Sequence, residues 1–272
     1  MWSYMVVATT ALIGTALGTA IPRAESTCTE PVVRKEWREL TTSEKAEYIR
    51  AAVCLRKLPQ PSTPRLTRHP LRGQLLPWHR WYLQLHENLL RTECGFTGTQ
   101  PYWDWSLDAD ALNTYHSPVF DPVTGFGGDG RRTGSNVPGF ERCVVDGPFA
   151  NTNLTLAMGW PDMNFSDMAN MLEGLPHAQI HSIIFGDMGP ATSPNEPLFF
   201  LHHANVDRAW AKWQGRNSTR LADYTGFQDS LKTITASIDD TMPVMALADN
   251  EPMVKDYMDI QAGPLCYTYS SL

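Results

Sequence analysis

The chain has 272 residues, 42% of them hydrophobic, with 20 Pro and 19 Gly, enough for one large domain with a sizeable core and much loop. A net charge of -7 without a basic cluster argues against a nucleic-acid partner. No internal repeat or low-complexity tract divides it.

Residues 1–20 form an uncharged apolar stretch ending in Gly18-Thr19-Ala20, a small-residue pattern that suits cleavage. They read as a signal peptide, although the usual Lys or Arg at its start is missing. The alternative, a membrane anchor, needs ~20 uninterrupted apolar residues, more than this stretch supplies. Residues 21–272 are then a single domain, and no stable membrane anchor is expected. Entry into the secretory route permits disulfides. Cys28, Cys54, Cys94, Cys143 and Cys266 are odd in number, so one lacks a partner within the chain. Cys28 with Cys54 and Cys94 with Cys143 are the expected pairs, each stapling a loop-rich segment, although spacing does not fix connectivity. Asn153, Asn164 and Asn217 each open an Asn-X-Ser/Thr glycosylation acceptor, meaningful in a secreted chain.

Val32 to Leu58 carries helical alternation, with Thr41-Thr42-Ser43-Glu44 as a capped start for a helix near Lys45 to Leu55. The prolines at 59, 61 and 64 then forbid helix. Pro77 opens the next helix, which runs to Thr92. Residues 100–158, rich in Gly, Pro, Asp and aromatics, show no long periodicity, and Gly125 to Gly139 reads as a long loop. Asp167 to Ile184 reads as a helix interrupted by Gly174 and Pro176, so its working part starts at Pro176. A further helix begins after Pro197 and carries His202, His203 and Asp207, followed beyond Gln214 by an irregular tail.

Histidines concentrate the chemistry. His177 and His181, four residues apart, share one helical face, as a two-ligand metal clamp requires. His203 is the candidate to complete a three-imidazole site, and His69 and His79 form a second cluster. His203 and Asp207 also share a helical face, which makes Asp207 a candidate partner for the imidazole nitrogen turned away from a metal. His86 lies seven residues beyond His79, about 10.5 Å along a helix, too far to share an ion with it; it reads as a surface or supporting histidine. His116 stands alone in a loop.

Leu76-Pro77-Trp78-His79-Arg80-Trp81-Tyr82-Leu83, Pro101-Tyr102-Trp103-Asp104-Trp105 and Ser193 to Arg208, which contains Phe199-Phe200-Leu201-His202-His203, together resemble the tyrosinase and catechol oxidase family of type-3 copper proteins, specifically its short secreted fungal members. The resemblance runs from about Cys28 to Cys266. It implies a mainly α fold, a four-helix bundle holding a binuclear copper site, with long irregular loops. It implies two coppers, the first taking His69 and His79 and the second His177, His181 and His203, since neutral imidazole suits copper. It implies a small phenolic substrate and dioxygen as partners: an o-diphenol oxidised to an o-quinone, or a monophenol hydroxylated first, in pigment or secondary-metabolite formation. Arg80 and Asp207 are the expected orienting residues around the ligands.

The chain also departs from that pattern. The family's first copper takes three histidines, yet no histidine precedes His69. Three alternatives stay open: a segment absent from this sequence, a first copper held weakly with help from His116 or His86, or a catalytically impaired or non-catalytic copper- or phenol-binding homologue. Ala178 follows His177 where monophenol-hydroxylating members often carry Asn, which tilts the expectation toward diphenol oxidation. Glu196 stands where Asp is usual before Pro197. Thr67 stands where a Cys would be needed for the thioether cross-link to histidine, so no cross-link is expected. A zinc hydrolase is disfavoured because no general-base Glu lies between His177 and His181.

Overall fold

A computed structural model describes residues 28–58, 74–109, 116–128, 131–132, 142–144, 146–150, 176–190, 192–224, 227–228, 231, 233–244 and 247–272. His69, Asn153, Asn164 and the apolar stretch at 1–20 lie outside the described residues.

Four helices of two turns or more are described, and each starts where local chemistry dictates. Helix α1, Thr42–Lys57, opens on a reciprocal capping box: the Thr41 hydroxyl accepts from the Glu44 N–H, and the Glu44 carboxylate accepts from the Thr41 N–H. Helix α2, Leu75–Cys94, tolerates Pro77 because the first turn has no intrahelical acceptor for that nitrogen. It ends at Gly95, whose φ of 62° is the left-handed conformation that glycine adopts without a Cβ penalty. Helix α3, Pro176–Ile184, begins at the expected proline. Helix α4, Leu198–Gly215, follows Pro197. None of them is long and apolar enough to cross a membrane.

The core sits between α1, α2 and α4. Tyr82 packs on Phe199 and Phe200, and the buried Trp37, Tyr48, Trp103, Leu83 and Leu90 fill the space beneath. The Pro101–Trp105 segment docks by backbone: the Trp37 N–H donates to Tyr102 O at 2.8 Å, and the Trp103 N–H donates to Leu201 O at 3.1 Å, one residue before His202. Trp103 and Trp105 are buried. A second cluster of Trp78, Trp81, Trp210, Met242 and Met258 glues the C-terminal region to the back of α2 and α4. Trp78 Nε1 donates to Pro243 O at 2.8 Å there, so the irregular tail is fixed rather than loose.

Two short sheets complete the architecture. Strands β2, Arg131–Arg132, and β3, Arg142–Cys143, pair antiparallel. Strand β1, Val32–Arg34, pairs in parallel with β4, Tyr267–Tyr269, with Val32 opposite Tyr267. That pairing corrects the expected disulfides. The Val32 N–H donates to Cys266 O, so the two ends of the domain run side by side and Cys28 bonds Cys266, with Cα atoms 5.2 Å apart. Packing of α1 on α2 brings Cys54 to Cys94, with Cα atoms 5.9 Å apart. Neither the Cys28–Cys54 nor the Cys94–Cys143 pair forms.

Candidate metal centre

Helices α2, α3 and α4 converge on a group of imidazoles. The spacing of His177 and His181 turns both rings to one side of α3, 4.6 Å apart between centroids. The adjacent His202 and His203 project from the first turns of α4, and His79 comes from the start of α2. The candidate ligating nitrogens of His177, His181, His202 and His203 all lie within 4.8 Å of one another. The His79 ring stacks on that of His203, with centroids 3.9 Å apart and planes 5° from parallel. Phe199 walls the group, lying 4.1 Å from His203 and 5.8 Å from His79.

Backbone carbonyls set the tautomers of two rings. His79 Nδ1 lies 2.7 Å from Leu75 O, and His181 Nδ1 lies 2.7 Å from Met188 O. A carbonyl only accepts, so both rings are protonated at Nδ1 and turn an Nε2 lone pair inward, the arrangement of a metal-binding histidine with an oriented second nitrogen. Lost hydration, followed by the neighbouring imidazoles, drives His202 and His203 well below the ordinary imidazole pKa, so both are neutral and able to ligate. His177 and His181 are partly exposed whereas His79, His202 and His203 are buried, so the group opens to solvent on the α3 side.

The donor set fits copper. It is all imidazole, drawn from separate helices, with His79 and His181 backed by carbonyls and no thiolate or carboxylate in the group among the described residues. A ring nitrogen of His202 and Nδ1 of His203 remain buried without a hydrogen-bond partner. Such orphans cost on the order of 1–3 kcal/mol each, a penalty that coordination of a ring nitrogen relieves.

The expected orienting residues have other work. Asp207 does not support His203, because both of its oxygens are engaged elsewhere. Arg80 Nε donates to Oδ1 at 2.5 Å, and the Tyr267 and Tyr269 hydroxyls donate to Oδ2 at 2.7 and 2.5 Å. Arg80 also donates to Tyr257 O and Met258 O and stacks on Trp210. The reason is geometric: α2 crosses α4 so that a guanidinium reaches Asp207 before an imidazole four residues back on its own helix can. Arg34 joins this seam, donating to Glu87 at 2.6 Å. Burial pushes both tyrosine hydroxyls far above the ordinary phenol pKa, keeping them protonated donors.

His86 is a core residue, not a surface one. Nδ1 meets the Gln100 amide oxygen at 2.9 Å, the ring stacks on Phe200, and burial lowers its pKa to about 3. His116 is exposed. Asn217 is exposed at the start of a helical turn, its amide oxygen accepting from the Thr219 N–H. His202, which the sequence offers only as the neighbour of His203, is buried beside the same imidazoles, 5.1 Å from His181 and 4.9 Å from His203 between ring centroids.

Comparison with known proteins agrees with this geometry. A family model described as the common central domain of tyrosinase matches residues 59–170 and 161–216. The tyrosinase ustQ of Aspergillus flavus is 35% identical, covering 97% of this chain and 87% of its own length. The tyrosinase-like protein phomQ1' of Diaporthe leptostromiformis is 36% identical over 93% of this chain and 83% of its own. The ustQ alignment runs over 313 positions, more than the 272 residues here, so that relative carries residues this chain does not. Among solved structures, a mutant polyphenol oxidase from Thermothelomyces thermophila superposes with a TM-score of 0.70 at 26% identity, covering 88% of each chain.

Proposed function

Because the chain belongs to the tyrosinase family of copper oxidoreductases, we propose that it oxidises o-diphenols to o-quinones with dioxygen, in the secretory route or outside the cell. The observation that carries this reading is the convergence of imidazoles from three helices, two of them held by backbone carbonyls. On this reading His177, His181 and His203 hold the second copper, and His79 with His69 serves the first. Bound copper would supply the one-electron redox couple and the site where dioxygen is engaged.

The protein's own residues do the rest. The Leu75 and Met188 carbonyls hold the His79 and His181 rings with their Nε2 lone pairs inward. Phe199 excludes water from one side of the group, while the half-exposed His177 and His181 leave the other open to a flat phenolic ring. Each o-diphenol loses two electrons and two protons, and dioxygen takes up four of each to become water. Ala178, beside His177, offers no side-chain amide to orient a water that would deprotonate a monophenol, which supports diphenol oxidation over hydroxylation. The two disulfides support an oxidising compartment, and the exposed Asn217 is an acceptor for glycan there.

A second reading, a homologue that binds copper or phenols without turnover, is favoured by one observation: no histidine precedes His69. Oxygen uptake by the copper-loaded chain separates the two. Uptake with catechol, and little with a monophenol, supports the oxidase; copper retention without uptake from either selects the non-catalytic homologue.

A further inference from the structure

His86 is 6% exposed, yet only one of its ring nitrogens is hydrogen-bonded. The Gln100 amide fixes which proton it holds. Gln100 Nε2 donates to Pro101 O at 3.0 Å, and a carbonyl only accepts, so Oε1 is the end that meets His86. Nδ1 of His86 therefore carries the proton and donates it to Oε1, while Nε2 keeps a lone pair that meets no partner among the described residues. The ring lines a cleft, so that lone pair is not sealed in the core.

The cleft has a volume of about 190 Å³. Leu55 of α1, Tyr82, Leu85 and Leu89 of α2 and Phe200 of α4 line it with His86. The Phe200 ring stacks on His86 with centroids 3.5 Å apart, and Tyr82 lies 5.5 Å from Phe200, so much of the wall is aromatic. An apolar cavity of about 150 Å³ already holds a benzene ring, and a small pocket draws its specificity from the few polar groups set among apolar walls. Here that group is a neutral imidazole nitrogen that can only accept. Arg56, at the edge, donates to Asn195 O, so its guanidinium is engaged rather than offered to an anion. Tyr82 also lies against Phe199, the ring that walls the metal-centre imidazoles, which puts the cleft beyond that wall.

We propose that this cleft is a further binding site, separate from the metal centre, for a neutral single-ring phenol whose hydroxyl donates to Nε2 of His86 while its ring lies against Leu85, Leu89 and Phe200. Binding there requires no copper.

The test is a titration of the isotope-labelled full chain with phenol in the absence of oxygen, read by NMR. Overhauser contacts from phenol to the Leu85 and Leu89 methyls are expected, with a shift of the His86 Nε2 resonance at the same concentrations. In His86→Phe, which keeps an aromatic ring but no acceptor, phenol binding at those methyls weakens at least about tenfold, the loss of one buried hydrogen bond, while toluene binding there does not weaken. Leu89→Trp, a substitution at the half-exposed rim, fills the cleft and abolishes both sets of contacts. Phenol that reaches neither methyl, or that binds His86→Phe as tightly as the wild type, overturns the proposal, and so does an equal weakening of toluene in that variant. Should His86→Phe not fold, the wild-type resonance decides: an Nε2 signal unmoved by phenol overturns the proposal.

Discussion

The Nε2 atoms of His181 and His203 lie 3.2 Å apart, one on α3 and the other on α4. Since His181 carries its proton on Nδ1, bonded to Met188 O, the hydrogen between the two rings belongs to His203. Copper needs the lone pair at both positions, so loading moves the His203 proton to Nδ1. Imidazole nitrogen NMR of the metal-free and the cuprous, diamagnetic protein is expected to report that tautomer change at one histidine. His181→Ala removes the shared contact and a proposed ligand, and copper retention is expected to fall at least about tenfold, whereas His86→Ala leaves copper per chain unaltered by elemental analysis.

Breaking the seam between α2 and α4 costs stability without touching a ligand. Arg80 and Asp207 are fully desolvated partners; removing Arg80 leaves Asp207 buried with the two tyrosine hydroxyls and Arg34, 3.9 Å away, a loss of up to about 3–5 kcal/mol. Arg80→Leu is expected to lower the unfolding free energy measured in urea by that amount, with Asp207→Asn close behind. The double variant Arg80→Leu/Asp207→Asn is expected to lose less than the sum, and a strictly additive result would sink the idea that they act as a pair.

Glu196 gives stability a pH dependence of known sign. Burial, reinforced by the Asp187 charge, pushes its carboxyl up to about 8, against the opposing Leu198 N–H and Arg56. Between the ordinary carboxylate range and about pH 8 the folded state therefore holds a proton that the unfolded chain has released. Stability from this group is present at acid pH and declines as pH rises through that window. Thermal melts of Glu196→Gln, which cannot ionise, are expected to lack that decline and to exceed the wild type above pH 8.

Reduction separates the two disulfides by effect. Cys28–Cys266 closes a sequence separation of 238 residues and Cys54–Cys94 one of 40, so the first constrains the unfolded chain more, each contributing about 3–5 kcal/mol on a chain-entropy account. Cys28→Ser is expected to lower the melting temperature at least as much as Cys54→Ser. Non-reduced peptide mapping that recovers a Cys28–Cys54 or Cys94–Cys143 peptide would contradict the pairing.

Local signals were legible in the residues. The Thr41–Glu44 box and Pro176 mark helix starts through contacts within a few residues, and the sequence expectations for α1 and α3 agree with the structure there; Val32–Arg34, expected within a helical stretch, is a strand, and α2 runs Leu75–Cys94 rather than Pro77 to Thr92. The clamp geometry of His177 and His181 follows from helical periodicity alone. What could not be read depends on distant chain. Cys266 finds Cys28 only because β1 and β4 pair across the whole domain, and Asp207 is taken by Arg80, 127 residues away, although helical spacing offered it to His203.

The parallel pairing of β1 with β4 also bears on how the molecule is made. Arg34, at the end of β1, needs Tyr267 and Tyr269 around its guanidinium, and Asp207 needs the same two hydroxyls. During vectorial synthesis the first strand emerges more than two hundred residues before its partner, so the ion-pair seam behind the imidazoles lacks its two tyrosines until the last segment has cleared the ribosome. Completion of the packing behind the proposed metal-binding site is thereby a late event, and on that reading copper delivery belongs after translation has finished.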